Sequence, residues 1–426
     1  MIPSTQQAGS LPAPDPDAAA RSQRLVDAIA ADCAAAGGWL SFDRFMERAL
    51  YTPGLGYYSG ANVKFGTSPR DGSDFVTAPE LSPFFARTVA RVVAPALAAS
   101  ATDEILEFGA GSGRLAGDLL AVLDRDAPGR CRRYTVVELS GELRERQRQT
   151  IARLAPEALS RVVWLDALPP RFDGVVLGNE VLDAMPVRLF ARREGVWQER
   201  GIAVDAASGR LAWQDRAVPA ADLPEQLQRV PGRHDYLTET HEAAGGFVRT
   251  VATMLGRGAA LLFDYGFPAR EYYHAQRDGG TLMCHYRHRS HDAPLFLPGL
   301  QDITAHVDFT FVAEAAVAAG ASLYGYTSQA RFLLDAGILD ALAALDPSDA
   351  ARYLPAANAV QKLLSEAEMG ELFKVIAFGK GLPDGLPVFD RGDRSWMLDA
   401  QPDDAADDAS DDGEPAPRSP GDAHAV

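Results

Sequence analysis

No stretch of the sequence reaches about 18 consecutive apolar residues, so no transmembrane helix is expected. Cysteine is scarce. Cys33, Cys131 and Cys284 are odd in number and far apart, which does not suit a disulfide framework and points to a reducing compartment. The first twenty residues contain no Lys or Arg and no apolar segment, so neither a secretory signal nor an Arg-rich transit peptide is visible. A bacterial cytoplasmic protein is expected. No internal repeat of solenoid period is present either. Positive charge is in deficit, with 41 Lys and Arg against 58 Asp and Glu and a net charge of -17. Residues 401–426 hold eight acids against the single base Arg418, which leaves about -10 on the rest of the chain. Such a body repels phosphates and attracts basic partners, which argues against nucleic-acid binding.

What remains is an ordinary globular composition, 47% apolar and 23% charged, over 426 residues. That length gives two to three domains at roughly 150 residues each. Residues 1–20, rich in proline and without periodicity, read as a disordered leader, and 386–426 as an acidic tail that loses all pattern from about Pro402. Residues 21–100 form a helical block. In it Phe42, Phe45, Met46, Ala49 and Leu50 recur at helical spacing behind the N-cap candidate Ser41, with Leu40 and Phe45 at staple positions. The turn-rich stretches 52–60 and 65–80 read as surface connectors or binding loops. From residue 102 short apolar runs alternate with helices, the sign of a parallel α/β sheet. Strands are expected at 104–108, 134–138, 162–165, 174–177 and 259–264, with a late one at 373–378. Two insertions, about 187–240 and 267–310, interrupt this 101–385 domain, and the first has hairpin-like alternation at 187–190, 195–199 and 210–214.

The first strand runs into Glu107-Phe-Gly-Ala-Gly-Ser-Gly113 and then a helix. Gly109, Gly111 and Gly113 permit close backbone approach to a ligand. The turn can be read in two ways. As Gly-x-Gly-x-x-Ala it suits a dinucleotide pyrophosphate, with Glu138 on the ribose. As acid-x-Gly-x-Gly-x-Gly it suits S-adenosylmethionine. Glu107 favours the second, because S-adenosylmethionine carries an ammonium group where a dinucleotide carries repelling phosphates. Glu138, at the end of the next strand, is placed for ribose hydroxyls, and Asp166, after the third, for the adenine amino group; an ordinary solvated acid is the other reading of each.

The fourth strand runs into Asn179, Glu180 and Asp183. Side chains beyond the carboxyl ends of parallel strands face the ligand. Two carboxylates three residues apart can hold a guanidinium through charge-assisted, bidentate hydrogen bonds, although a helix-capping Asp183 beside a solvated Glu180 fits the same spacing. Cys284, His285, His288 and His291 superficially resemble metal ligands, but no second cluster accompanies them and no metal is expected. His288 or His306 in a loop over the site could remove a product proton.

Together the motifs resemble a family of S-adenosylmethionine-dependent methyltransferases that includes the mitochondrial complex I assembly factor 7. The resemblance rests on Tyr51-Thr-Pro-Gly-Leu-Gly-Tyr-Tyr58, Gly72-Ser-Asp-Phe-Val-Thr-Ala-Pro-Glu80, the glycine turn, and Asn179-Glu-Val-Leu-Asp-Ala-Met-Pro-Val187. It continues in Asp264-Tyr-Gly266, Gly280-Thr-Leu282, Asp302-Ile-Thr-Ala-His-Val-Asp-Phe309, Thr327-Ser-Gln329 and Met369-Gly-Glu-Leu-Phe-Lys-Val375. It covers residues 40 to 380. The resemblance implies a class I, Rossmann-like methyltransferase fold and an S-adenosylmethionine cofactor held by Glu107, Gly109, Gly111, Gly113 and Glu138. Asn179, also a cofactor contact, would stand with Glu180 and Asp183 at the acceptor. Tyr57, Asp74 and Phe75 of the N-terminal block would form a substrate-binding lid. The implied activity is arginine methylation of a protein, in the family's eukaryotic members the quinone-site subunit of respiratory complex I. A non-catalytic assembly factor that binds the cofactor is the alternative, and the sequence leaves a homodimer open.

Overall fold

The computed structural model describes residues 11–59 and 77–399. Its centre is a seven-stranded sheet built from β1 (Glu104–Phe108), β2 (Arg133–Val137), β3 (Val162–Leu165), β4 (Phe172–Asn179), β5 (Leu255–Phe267), β6 (Ser322–Ser328) and β7 (Phe373–Lys380). The spatial order is β6-β7-β5-β4-β1-β2-β3, with the two-residue strand Val307–Asp308 added beside the end of β5. β7 runs antiparallel to both neighbours, while β1 to β5 pair in parallel. The chain order reverses between β1 and β4, so the crevice beyond their carboxyl ends is where a ligand belongs. The central strands are buried on both faces and read as near-continuous apolar runs rather than alternating ones.

Each face is closed by its own core. One packs α3 (Pro83–Ala99) and α4 (Arg114–Asp126) with Ile151 of α5 (Gly141–Leu154) against Ile105, Val175, Leu177, Leu261 and Phe263. The other packs α6 (Glu242–Met254) and α7 (Phe309–Ala318) against Leu106, Val176, Ala260 and Leu262. The alternating members of each strand thereby divide between two layers. A third core joins α1 (Pro16–Ala35) and α2 (Phe42–Tyr51) to a five-stranded antiparallel sheet formed by residues 40–41, 188–193, 196–204, 211–217 and 236–240. None of the helices among the described residues is long and apolar enough to cross a membrane.

Several expectations change. Helix α1 begins at Pro16, inside the stretch read as a leader, because Asp15 Oδ1 accepts from Ala18 N at 2.8 Å and Pro16 sits at the tolerant first position. Ser41 occupies the N-cap of α2 but its side chain does not cap the helix; its hydroxyl turns to Asp43 instead. Helix α3, assigned with the lid, is a buried member of the main sandwich. The chain stays packed past residue 386, with Phe389 and Leu398 buried. Residues 1–10 and 400–426 lie outside the described residues.

Candidate active site

A cavity of about 1680 Å³ opens beyond the carboxyl ends of β1, β2, β4 and β5. The glycine turn forms one wall. Gly109, Gly111 and Gly113 all have positive φ, at 62°, 51° and 82°. A Cβ on Gly109 would stand 2.9 Å from Val181 Cγ2, and one on Gly113 2.8 Å from the Gln147 backbone, so the turn is closed to any larger residue. Glu107, 2% exposed, receives the Tyr134 hydroxyl at 2.8 Å, and burial pushes its carboxyl up to about 7. Glu138 Oε1 accepts from Ser140 N at 2.8 Å and Oε2 from Gln147 Nε2 at 3.1 Å, leaving each oxygen capacity for a hydroxyl donor. Leu139 is 77% exposed on the lining, an apolar face that a flat aromatic base would cover. The donor set fits S-adenosylmethionine: an acid for its ammonium group, an acid for its ribose, an apolar wall for its adenine.

The opposite wall begins where β4 ends. Glu180 lies at φ 54°, in the left-handed region that a non-glycine residue enters at a cost of about 1–3 kcal/mol. The surrounding bonds impose this. Glu180 N donates to Phe263 O at 2.8 Å, and Asp264 Oδ2 accepts from the backbone of Val181, Leu182 and Asp183 at 3.0, 2.8 and 3.3 Å. Asn179 Nδ2 donates to Glu180 Oε1 at 2.9 Å, and Tyr265 donates its hydroxyl to Asp183 Oδ2 at 2.6 Å. Burial, reinforced by Asp183, pushes the Glu180 carboxyl up to about 8; burial pushes Asp183 up to about 6 against the Tyr265 bond. Tyr51 and Tyr58, stacked at 5.5 Å, close this end, and Tyr58 donates to the buried Asp302 at 2.9 Å.

The sequence-derived candidates divide. Glu107, Gly109, Gly111, Glu138, Asn179, Glu180, Asp183 and His306 line the cavity; Gly113 closes the turn beneath it. Asp166 does not line it: its side chain is 81% exposed and paired with Arg144. His288 is not on the lining either. It follows Arg287 at the tip of a hairpin, both with positive φ, between the strands 283–286 and 289–291. The pleat sends His285 and Met283 to the cavity instead, and Cys284 and Tyr286 into buried packing. Tyr57 is wholly buried in the N-terminal core, its place on the lining taken by its neighbour Tyr58. Asp74 and Phe75 lie outside the described residues. His306 packs edge-on against Tyr265 and Phe267, and burial lowers its ring to about 4, which makes it a weak base at neutral pH. Among the described residues no three His, Cys, Asp or Glu side chains are grouped to hold a metal ion. Sequence reasoning gave no site role to Asp264, Tyr265 and Asp302, which entered only as members of the family motifs, and passed over Leu139; an acid directly at the end of an apolar strand was the available signal for Asp264.

Fold and site define an S-adenosylmethionine-dependent methyltransferase. The model of a family of S-adenosyl-L-methionine-dependent methyltransferases matches residues 88–327, and the chain belongs to that family. It is 28% identical over 369 residues to the protein arginine methyltransferase NDUFAF7 of Danio rerio, covering 80% of this chain and 83% of the relative. The Homo sapiens protein of that name is 27% identical over 372 residues, at 80% of each chain. A COG1565 superfamily member from Burkholderia thailandensis, crystallised with S-adenosyl-homocysteine, is 60% identical and superposes with a TM-score of 0.88, covering 91% of this chain and all of that one.

Two outcomes follow from the buried acids. Burial holds the Glu107 carboxyl at about 7. If this acid is the partner of an ammonium group it must be ionised, so the affinity for S-adenosylmethionine would fall as pH drops from 7.5 to 5.5, and E107Q would both weaken binding and remove the pH dependence, with calorimetry at a series of pH values reading both. Below the ordinary carboxyl value of 4.5 Glu180 is protonated whether the chain is folded or not. Between there and about 8 the unfolded chain ionises while the folded one keeps its proton, so folded stability is lost as pH rises through that window. In the ligand-free protein E180Q therefore raises Tm at pH 8 by about 2 °C or more, and not at pH 4.5, by differential scanning fluorimetry.

Proposed function

We propose that the enzyme methylates an arginine side chain of a protein. One observation carries the reading. Three residues of the lining hold buried polar atoms with no hydrogen-bond partner among the described residues, Asn179 Oδ1 and Asp183 Oδ1 near the carboxyl of Glu180, and His306 Nδ1 beyond Tyr265. The first two are acceptors; the third accepts or donates according to the tautomer of the neutral imidazole. What this end lacks is donors, and a guanidinium brings five in a rigid planar fork. The relatives named protein arginine methyltransferases support the same reading.

The site residues then divide the work. Glu107 and Glu138 hold the cofactor through its ammonium and ribose groups, and the glycine turn admits its backbone-close approach. The bound cofactor supplies an electrophilic methyl group on a sulfonium. Glu180 and Asp183 take the guanidinium between them; its positive charge restores both to the ionised state, drawing their raised carboxyls down. Held in this way, one nitrogen is oriented for in-line attack, and most of the barrier reduction comes from positioning and exclusion of water. The nitrogen forms a bond to carbon as the carbon–sulfur bond breaks, and the methylated guanidinium sheds a proton to a carboxylate. His306, uncharged at neutral pH, accepts a hydrogen bond and leaves the proton to the acids. Tyr51 and Tyr58 close over the side chain.

The test incubates the purified protein and tritiated S-adenosylmethionine with lysate of a strain lacking its gene, with mass spectrometry of labelled bands. A band carrying methylarginine is expected, and the complex I quinone-site subunit is the first band to examine; label on another residue type would refute the reading. E180Q and D183N should each reduce transfer by about 100-fold or more, as loss of a charged partner does, while changing cofactor affinity less than twofold. Because both acids must be ionised, kcat/KM for the acceptor rises from pH 6 to 8.5, and the limb tied to Glu180 disappears in E180Q.

A further inference from the structure

The cavity extends past its carboxylates, and the charge reverses along it. From Asp183 a run of contacts leads away from the glycine turn. Tyr265 bonds Asp183 at 2.6 Å, its ring meets His306 at 5.2 Å, and His306 meets Phe267 at 5.2 Å. Over Phe267 lies Arg277, its Cζ 4.1 Å from the ring centroid. Arg277 is half-buried and lines the cavity. Its Nε donates to the Glu271 carbonyl at 3.2 Å, and no carboxylate of the described residues forms an ion pair with it. Lys374 stands 5.9 Å from the same ring, with Glu371 at 3.8 Å. Of the two cations on Phe267, Lys374 is tied to an acid and Arg277 is not. A guanidinium centred over an aromatic face, with its Nε engaged, still has its terminal N–H groups to offer, and a carboxylate can take two of them in parallel hydrogen bonds.

We infer that Arg277 is a subsite for a carboxylate of the acceptor protein, an Asp or Glu within about five residues of the arginine that is methylated, at about 3.3 Å of extended chain per residue. The inference rests on the reading of the cavity as a seat for a protein arginine. The cofactor's own carboxylate is the other source of the same chemistry, and the strand order separates the two. The glycine turn leaves β1, whereas Phe267 ends β5, two strands away across β4 and so about 10 Å along the sheet. A selection rule results: the site discriminates against polybasic segments, which the acidic body would otherwise attract, and favours an arginine with an acid close by.

The test measures binding of fluorescein-labelled peptides of eleven residues, blocked at both ends, to the full chain saturated with S-adenosyl-homocysteine. Each peptide carries a central arginine and a Glu, Gln or Lys at one other position. For wild type, Glu at one or two positions should bind about tenfold tighter than Gln, the scale of one charge-assisted hydrogen-bonded pair. In R277Q the Glu and Gln peptides should bind alike, and in R277E the Lys peptide should be preferred, with S-adenosyl-homocysteine affinity unchanged in both as the check on folding. A Glu preference that survives in R277Q, or peptide binding by wild type with no Glu preference, overturns the inference and leaves the arginine reading standing. No binding of any arginine peptide by wild type overturns the arginine reading and this inference with it. A tenfold loss of S-adenosyl-homocysteine affinity in R277Q assigns Arg277 to the cofactor instead.

Discussion

The carboxylate of Asp264 gathers the backbone N–H groups of Val181, Leu182 and Asp183 on one oxygen and that of Tyr265 on the other. Two neighbouring parallel strands are thereby joined beyond the point where their ladder ends. The segment leaving β4 would otherwise have three successive orphan donors in a dry interior, each costing about 1–3 kcal/mol if left unpaired. With them satisfied, the chain can hold Glu180 in a left-handed conformation and set Asp183 against Tyr265. Glu239 works in a similar way on the opposite wall, accepting from Thr281 N at 2.9 Å and Leu282 N at 3.0 Å, so that Gly280 to Leu282 are held at the cavity edge. The Glu180 end of the cavity is thus shaped by two buried carboxylates that do not line it.

This arrangement stores an electrostatic imbalance. Glu180 and Asp183 converge with no cation of the described residues paired to either, and burial answers by holding Glu180 protonated. A cationic guest would supply what the fold withholds. Because both carboxyls are buried, the gain from its entry would be larger than in water, and it would be paired with a stability deficit in the empty protein. Arg277 at the other end prevents the cavity from being uniformly negative.

The sequence made legible what is local. The strands 104–108 and 162–165 are found where they were expected, and the glycine turn and the exit of β4 announced themselves as contiguous motifs with a physical reason for each residue. β6 escaped notice because Gly325 and a register shift between Leu323 and Gly325 break its alternation. Tyr236–Thr240 is short and reads as a strand only once Arg188–Arg193 is beside it. Which histidine faces the ligand depended on a two-residue hairpin turn, and a shift of one residue exchanges His285 for a buried neighbour. Asp166 and Glu138 look alike in sequence, each an acid after a strand, but Arg144 draws Asp166 outward while Gln147 holds Glu138 on the lining. Asp264 could be seen as a strand-end acid; that its partners are backbone groups eighty residues earlier could not.

The bond between Tyr58 and Asp302 joins residues 244 positions apart. At about 5–20 residues per second of synthesis, the ring that closes one end of the site emerges roughly ten to fifty seconds before the acid it grips. During that interval α1, α2 and Tyr58 have apolar faces with no insertion to cover them, since Val187, Leu189, Ile202, Cys284 and Ile303 of the same core are all made later. The N-terminal block is therefore unfinished until most of the enzyme exists, and the end of the cavity lined by Tyr58 and Asp302 is among the last parts of the molecule to become complete.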